Sequence, residues 1–307
     1  MRYRLDDLEA FLYVVETGSI SRAATELNLT KSVVSKRVSD LEEALGVVLL
    51  NRTTQGTVPT DEGAVFHTRG RAIMQQLDDA GDEIAADDKD LQGSLRISAP
   101  VGLTDYLGPI IATFLWNHPQ LDATINVDDR VLDLQGGGYD LAIRVGRLPD
   151  SSLIARRLNV SRQVVCCSPD YAKRCGLPAS LDEIAGHDSI GYTNVRSSYA
   201  WTFLPAKDGD ESRSITVRSR HIANNGAIMR DMAIAGLGIA MFPVFIVAEA
   251  LADGRLINAM PDFRPTSFPV HAVYTQARQP SRKLQALVAY LQAEFGGEPP
   301  WERLLSV

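Results

Sequence analysis

The chain has 307 residues, is 45% hydrophobic and 22% charged, and carries a formal net charge of -7. That length accommodates two or more domains with cores of their own, and the acidic balance does not by itself suggest a nucleic-acid partner. No apolar run approaches the roughly 20 residues that a membrane helix needs. The amino end, MRYRLDDLEAF, carries acids where a secretory segment is apolar, so no signal peptide is expected. The cysteines are Cys166, Cys167 and Cys175. An odd count without CxxC spacing argues against a disulfide framework or a zinc finger, and a reduced, cytoplasmic protein is the expectation.

In chain order, Leu8, Phe11, Leu12 and Val15 recur at helical spacing, which predicts an amphipathic helix over about 6–17. Asp6 or Asp7 is its expected cap and Gly18 its stop. Ser21 opens a short helix through Leu27, in which Ala23 and Ala24 admit a neighbour closely. Asn28 closes it, and Thr30 caps the next helix, about 31–45, ahead of Gly46. From Val47 to Val58 two short apolar pieces flank NRTTQG, the pattern of a β-hairpin that serves as the wing of a winged helix-turn-helix. Pro59-Thr60-Asp61-Glu62 then begins a helix over about 60–89, about 45 Å long at ~1.5 Å per residue. Ile73, Leu77, Ala80 and Ile84 form its single apolar stripe, and a second copy of the same helix is the simplest partner.

After Gly93 the texture changes. Leu95, Ile97 and Ala99 alternate with polar residues and predict a strand. A helix with Leu107, Ile110, Ile111, Phe114 and Leu115 follows, then strands near 123–127, 141–145 and 164–167. Ser168-Pro169 starts another helix, and Ser180 with Glu183 forms a capping box. Helices near 226–236 and 243–252, a strand at 270–274 and a last helix capped by Ser281 complete the pattern. Strands alternating with helices mean an α/β domain, here behind an all-α amino-terminal module.

The stretch SISRAATELNLTKSVVSKRV, residues 19–38, carries the chemistry. Around the helix from Lys31, the residues Val34, Val38, Leu41 and Leu45 share the side that must pack inward. Ser32, Val33, Lys36 and Ser39 lie roughly opposite, with Arg37 on the flank. Lys31, Lys36 and Arg37 gather positive charge in the first two turns, whereas Asp40, Glu42 and Glu43 come later, which suits a helix whose amino-terminal part meets base edges in a major groove. Val33 suits a thymine methyl, Lys36 suits guanine O6/N7, and Ser32 and Ser35 suit phosphates or bases; Ser21 and Thr30 are also expected at the DNA interface. Arg52 and Thr53 in the wing are placed for backbone or adjacent minor-groove contact.

Residues 5–63 resemble the DNA-binding domain of the LysR-type transcriptional regulators. The resemblance rests on the F-x-x-V-x-E-x-G-S run from Phe11 to Ser19, Ala23-Ala24, Leu27 to Thr30, the L-E-x-x-L-G run from Leu41 to Gly46, Arg52-Thr53 and Thr60-x-x-Gly63. It continues to about residue 295 through GSLRISAP, GYDLAIRVG, AGLGIAMFP and ARQPSRKLQALVAYL. It implies a winged helix-turn-helix over 1–62, a dimerising linker helix over 63–92 and a periplasmic-binding-protein-like effector domain over 93–307. That last domain is expected as two α/β subdomains, about 93–161 with 267–307 and about 162–266, with a cleft between them. Where the family often has Gln-Pro after the capping residue, this chain has Lys31-Ser32, which puts the base preference at the first positions in question and leaves only a dyad with T at one end and A at the other.

In such a domain, ligands bind where strand ends and helix starts face the crevice. Pro100, Val101, Gly102 and Thr104 join the first strand to its helix, where N–H groups of Gly102 to Thr104 are expected to point outward and hold a carboxylate. Gly191-Tyr192-Thr193 follows a strand and offers two hydroxyls, Asn225 precedes a helix, and Phe242 lies beyond that helix's far end. Arg144 suits an anionic effector. The structural alternatives stay open: Asn225 as an N-cap, and Arg144 as partner to Asp129 or Asp140.

The expected partners are double-stranded DNA with a dyad operator, a small-molecule effector, RNA polymerase, and further copies of the chain in a homodimer or homotetramer; no membrane, metal or cofactor is expected. No P-loop, dinucleotide fingerprint, HExxH or GxSxG is present, and the five histidines are scattered, so an enzyme is not expected. Two alternatives are a redox-responsive regulator, with Cys175 beside Lys173 and Arg174 as its best thiol, and a solute-binding protein without DNA function.

Overall fold

A computed structural model describes residues 3–53, 56–84, 91–129, 138–146, 148, 152–194, 200–205, 211–278 and 281–305. Two compact units are distinguished, one containing residues 1–89 and one containing 90–131, 139–279 and 283–307.

The first unit follows from local signals. Helix α1 (Leu5–Thr17), α2 (Ile20–Glu26) and α3 (Lys31–Leu45) bury Leu8, Phe11, Leu12, Ala23, Ala24, Val34, Val38 and Leu41 in one core. Two predicted caps are corrected. Helix α1 starts one residue earlier, and Asp7 acts from its third position by accepting the Arg4 N–H at 3.0 Å, the acidic half of a capping box. Helix α2 is capped by Ser19, not Ser21; the Ser19 hydroxyl accepts the Arg22 N–H. Thr30 caps α3 as expected, accepting the Val33 N–H. Asn28 adopts a left-handed φ of 53° between α2 and α3, a conformation its side chain tolerates better than most.

Strands β1 (Leu50–Thr53) and β2 (Gly56–Pro59) pair as the predicted hairpin. The Glu42 carboxylate of α3 accepts the N–H groups of Leu49 and Leu50 at 2.7 and 3.1 Å, and the Thr57 N–H donates to the Gly18 carbonyl at 2.9 Å. The wing is thereby tied to the helices at both ends. Helix α4 (Asp61–Ile84) starts after Thr60, whose hydroxyl accepts the Gly63 N–H. Gly63 lies so close to the Leu49 carbonyl that any Cβ would collide with it, which explains the Thr60-x-x-Gly63 spacing. The predicted continuation of α4 over 85–89 lies outside the described residues.

The second unit opens with β3 (Gly93–Ala99), α5 (Thr104–Asn117), β4 (Leu121–Val127), β5 (Leu141–Val145) and β6 (Leu153–Ser161). It continues through β7 (Gln163–Cys167), α6 (Pro169–Cys175), β8 (Ser189–Tyr192), β9 (Ala200–Phe203), β10 (Arg213–Thr216), β11 (Ser219–Ala223) and α7 (Gly226–Ile234). The last elements are β12 (Ala240–Pro243), α8 (Val244–Ala252), β13 (Ile257–Asn258), β14 (Phe268–Thr275), α9 (Arg282–Phe295) and α10 (Pro300–Arg303).

Among the described residues one sheet has the order β4-β3-β5-β14-β6, with β3 parallel to both β4 and β5. A second region holds β12-β7-β13, the parallel pair β8 and β11, and the hairpin of β9 and β10. Strand β7 explains its own apolar run: Val164 and Cys166 face one core, and Val165 and Cys167 face another, so both sides are buried. Strand β6 is absent from the predicted elements. It is an edge strand in which Ala155, Arg156 and Arg157 are exposed in succession, and its regularity comes from pairing with β14.

Candidate nucleic-acid interface and effector cleft

Helix α3 divides as its periodicity requires. Val34, Val38 and Leu41 are at most 1% exposed, while Lys31, Ser32, Val33 and Lys36 face solvent. Its first turn carries no acid, so the positive end of the helix dipole adds to the two lysines. The remaining residues named from sequence divide differently. Thr30 is engaged as the cap and lies 3.0 Å from the Ser32 hydroxyl. Ser35 is half-buried and already has a partner. Arg37 is half-buried and pairs with Asp6 of α1 at 3.0 Å, which braces α3 against α1. Ser21 is exposed in the first turn of α2. Arg52 and Thr53 lie on β1, and their side chains fall outside the described residues.

On α4, Ile73 is 51% and Leu77 49% exposed, and Ala80 is also exposed. The apolar stripe thus stays uncovered within one chain as far as Ala80; the side chain of Ile84 lies outside the described residues. Glu16 of α1 pairs with Arg71 of α4 at 2.5 Å and lies 3.4 Å from His67. Partial burial works against the Glu16 charge, but His67 and Arg71 more than offset it and hold its pKa below the ordinary value.

In the second unit, strand order defines the cleft. The chain leaves β3 for β4 on one side and then places β5 on the other side of β3, so a crevice opens beyond the carboxyl ends of β3 and β5. Those ends carry Pro100 and Val101 on one strand and Arg144 on the other. The parallel strands β8 and β11 end at Tyr192 and Ala223, ahead of Thr193, Asn194, Asn224 and Asn225. Asp129, just past β4, accepts the Val101 N–H at 2.9 Å, which ties the end of β4 to the turn that follows β3.

Several sequence expectations need correction here. The N–H groups of Leu103 and Thr104 donate to the carbonyls of Pro100 and Val101, so they close a 3-10 turn and do not point outward. The N–H that holds a carboxylate is that of Val101, and the carboxylate is Asp129, at 2.9 Å. Gly102 backs onto Ile246 and Phe245, and a Cβ there would strike both. Thr104 donates its hydroxyl to the Val101 carbonyl at 2.7 Å. Asn225 is an N-cap, accepting the N–H groups of Ala227 and Ile228 at 2.9 and 3.1 Å. Phe242 is 1% exposed within the core and has no surface to offer a ligand. Thr193 is exposed and donates its N–H to the Ala223 carbonyl.

Arg144 does not pair with Asp140, which is buried against Arg278 and accepts the Arg96 N–H at 2.7 Å. Its guanidinium donates to the Ser98 hydroxyl at 3.2 Å and to the Ile143 carbonyl at 3.0 Å. Burial lowers its pKa against the opposing pull of Asp128, Tyr139 and Asp129. The Tyr192 hydroxyl accepts from the Asn194 amide, which also donates to the Asn224 carbonyl. Burial, with the charges of Asp129 and Asp128, pushes the Tyr192 phenol up to about 12. Asp129 and Asn194 are missing from the sequence-derived set of effector residues, and their one sequence signal is position just beyond a strand; Tyr192 is expected there with Thr193 for its hydroxyl, and Ser98, fully buried, supports Arg144 from within.

Cys166 and Cys167 are buried and Cys175 is exposed. Cys175 also lines an open depression of about 780 Å³, together with Glu183, His187, Asp188 and Arg218.

A DNA-reading winged helix-turn-helix, followed in the chain by a long helix and a two-lobed α/β unit with a polar cleft, defines a class of ligand-responsive regulator. The comparisons with known proteins resolve that class to a family. The model of the bacterial regulatory helix-turn-helix protein of the lysR family matches residues 5–64, and that of the LysR substrate binding domain matches 88–296. This chain belongs to the LysR family of DNA-binding transcriptional regulators, with a ligand-binding domain after the helix-turn-helix. It is 34% identical over 298 residues to the regulator CrgA of Neisseria meningitidis, covering 96% of this chain and 98% of that one. The crystal structure of CrgA aligns with a TM-score of 0.61 at 33% identity, over 95% of this chain and 99% of that one. The full-length Vibrio cholerae virulence activator AphB aligns with a TM-score of 0.60 at 26% identity, over 94% and 99%.

Proposed function

We propose that this regulator reads a dyad operator through α3 and responds to a small anionic effector held in the cleft around Val101, Asp129, Arg144 and Tyr192. The observation that carries the DNA half is the division of α3: Lys31, Ser32, Val33 and Lys36 in solvent, Val34, Val38 and Leu41 in the core. Residues 1–62 bind DNA, 63–92 dimerise, and 93–307 sense the effector. The uncovered Ile73 and Leu77 stripe supports pairing of α4 with α4 of a second chain, in a homodimer or a tetramer of two dimers. Paired recognition helices then meet half-sites in successive major grooves. Lys31 and Lys36 contact phosphate or guanine, Val33 a thymine methyl, Ser21 and Ser32 the backbone, and Arg52 and Thr53 the flanking groove. Effector binding shifts the balance between assemblies that place the DNA-binding heads differently, and so alters access for RNA polymerase in the cytoplasm.

The test is genomic footprinting followed by equilibrium binding to the recovered operator across a salt series. The reading expects paired half-sites of opposite orientation and an affinity that falls steeply with salt. A single unpaired site, or binding indifferent to salt, is incompatible with it.

A further inference from the structure

Helix α10, the last element of the chain among the described residues, lies at the joint between the two lobes of the second unit. Arg162 stands between β6, in the five-stranded sheet, and β7, in the three-stranded one, so it is where the chain crosses from one lobe to the other. Its Nε donates to both carboxylate oxygens of Glu302 on α10, at 2.9 and 3.0 Å, and a terminal guanidinium nitrogen donates to one of them as well. Glu302 is only 7% exposed, so its carboxylate meets the crossing from a packed position. The Arg162 carbonyl accepts the Val244 N–H at 2.9 Å, which brings the start of α8 to the same place. Ahead of α10, the Asn159 amide of β6 donates to the carbonyls of Phe295 and Gly297 and anchors the chain between α9 and α10 to the first lobe.

Trp301, next to Glu302 on α10, is fully buried among three other rings. Tyr106 of α5, at 5.3 Å between centroids, and Phe295 of α9, at 5.7 Å, belong to the first lobe, where α5 and α9 adjoin through Phe114 and Tyr290. Phe245 of α8, at 5.7 Å, belongs to the second, since α8 connects β12 to β13 of the three-stranded sheet. The indole N–H is buried and has no acceptor among the described residues, so packing holds the ring while Glu302 supplies the directional contact. Phe245 also backs onto Gly102, where an added Cβ would come within 2.9 Å of it, so the joint extends to the turn that borders the cleft. Interiors packed this closely leave no slack, and a rotation of one lobe against the other has to move the indole.

We propose that α10 is a clasp on this joint: Glu302 pins the crossing through Arg162, and Trp301 wedges α5 and α9 of one lobe against α8 of the other, so that this short helix sets how far the lobes swing. A swing about the β6–β7 crossing changes the gap between α5 and α8, and the indole must then repack or withdraw. Packed joints of this kind switch between discrete arrangements and do not deform continuously. The clasp favours one lobe position, and a ligand moves the lobes only by binding the other position more tightly than the clasp holds the first. The device acts by position and touches no ligand, so it holds whatever molecule the cleft takes.

The experiment measures the distance between lobes in the full-length protein. Cys175, exposed on α6 of the second lobe, is a native labelling site, and Ala112→Cys adds another on the exposed side of α5 in the first. Double electron–electron resonance on the spin-labelled protein, with labelled chains diluted among unlabelled ones, reads the separation within one chain. Hydrogen exchange of the segment containing Val244 reads the crossing. The expected distribution is narrow in the protein with an intact clasp, and it broadens or shifts with Trp301→Ala. Trp301→Phe, which keeps a ring in the gap, returns it most of the way. Glu302→Ala also broadens it and speeds exchange of the Val244 segment by about tenfold, through loss of a charge-assisted hydrogen bond. Should Trp301→Ala not fold, Glu302→Ala carries the expectation, because the side chain of its partner Arg162 is 64% exposed and is not stranded in the core. Distributions in folded Trp301→Ala and Glu302→Ala that superimpose on that of the intact clasp overturn the proposal, even where α10 itself exchanges faster, and leave α10 as local packing. A distribution already broad with the clasp intact overturns it too, since the joint is then not held.

Discussion

Lys36→Ala removes one cation from each recognition helix and little else. The side chain is exposed and, among the described residues, makes no hydrogen bond or ion pair, so folding stability should change by less than about 0.5 kcal/mol. On DNA the loss is larger, and its form tells what the lysine touches. If Lys36 reads a guanine edge, each half-site loses about 1–3 kcal/mol, so a dimer loses at least about 2 kcal/mol, or roughly 30-fold in affinity. That loss shrinks when the guanine opposite is replaced. If Lys36 meets a phosphate, affinity falls alike on every sequence, and the slope of log affinity against log salt drops by about 0.9 per half-site. Fluorescence anisotropy on the footprinted operator, between about 50 and 200 mM salt and with single base-pair changes, separates the two. Leu41→Ala is the internal control. It lies on the same helix but is 0% exposed, so it should cost about 2–5 kcal/mol in stability. Unchanged affinity of Lys36→Ala at every salt concentration and on every operator refutes the placement of α3 in the groove.

The remaining expectations concern the scaffold. Asp140→Ala removes the carboxylate that pairs with Arg278 and accepts the Arg96 N–H, in a site where the paired side chains are at most 7% exposed, so the unfolding free energy should fall by about 3–5 kcal/mol in a denaturant titration; a change under about 1 kcal/mol means the pair is solvated. Glu16 has a folded pKa below its ordinary 4.5, so its contribution is complete above that value and is lost as pH falls through the lower folded value. The stability gap between the native protein and Glu16→Gln should therefore be widest near neutrality and close under acid; a gap independent of pH contradicts the Arg71 and His67 brace. Burial pushes the Cys167 thiol up to about 11 and raises that of Cys166 as well, while Cys175 is exposed. Iodoacetamide at neutral pH should thus modify Cys175 alone in the folded protein, and peptide mapping that finds Cys166 or Cys167 labelled contradicts the packing of β7.

How far the fold was legible depended on how local its causes are. Helices α1 to α3 announce themselves because their apolar spacing, the small Ala23 and Ala24 and the capping Thr30 act within one or two turns. Strand β7 was legible because burial on both faces demands an uninterrupted apolar run. Strand β6 was not, since an edge strand with Arg156 and Arg157 in solvent has no alternation to read, and its partner β14 is remote in sequence. Phe242 misled for a related reason. Its place beyond α7 suggested a cleft wall, but its side chain points into the core that β12 shares with β7.

The order of residues alone determined the amino-terminal module and the basic face of α3, because helix periodicity assigns faces without reference to distant chain. It also determined that strands and helices alternate afterwards. Only the tertiary structure decided which polar groups share the cleft. Val101, Asp129 and Arg144 belong to separate strand ends, and their neighbourhood depends on the order β4-β3-β5. Such neighbourhoods are set by long-range pairing, and no local pattern of side chains encodes them.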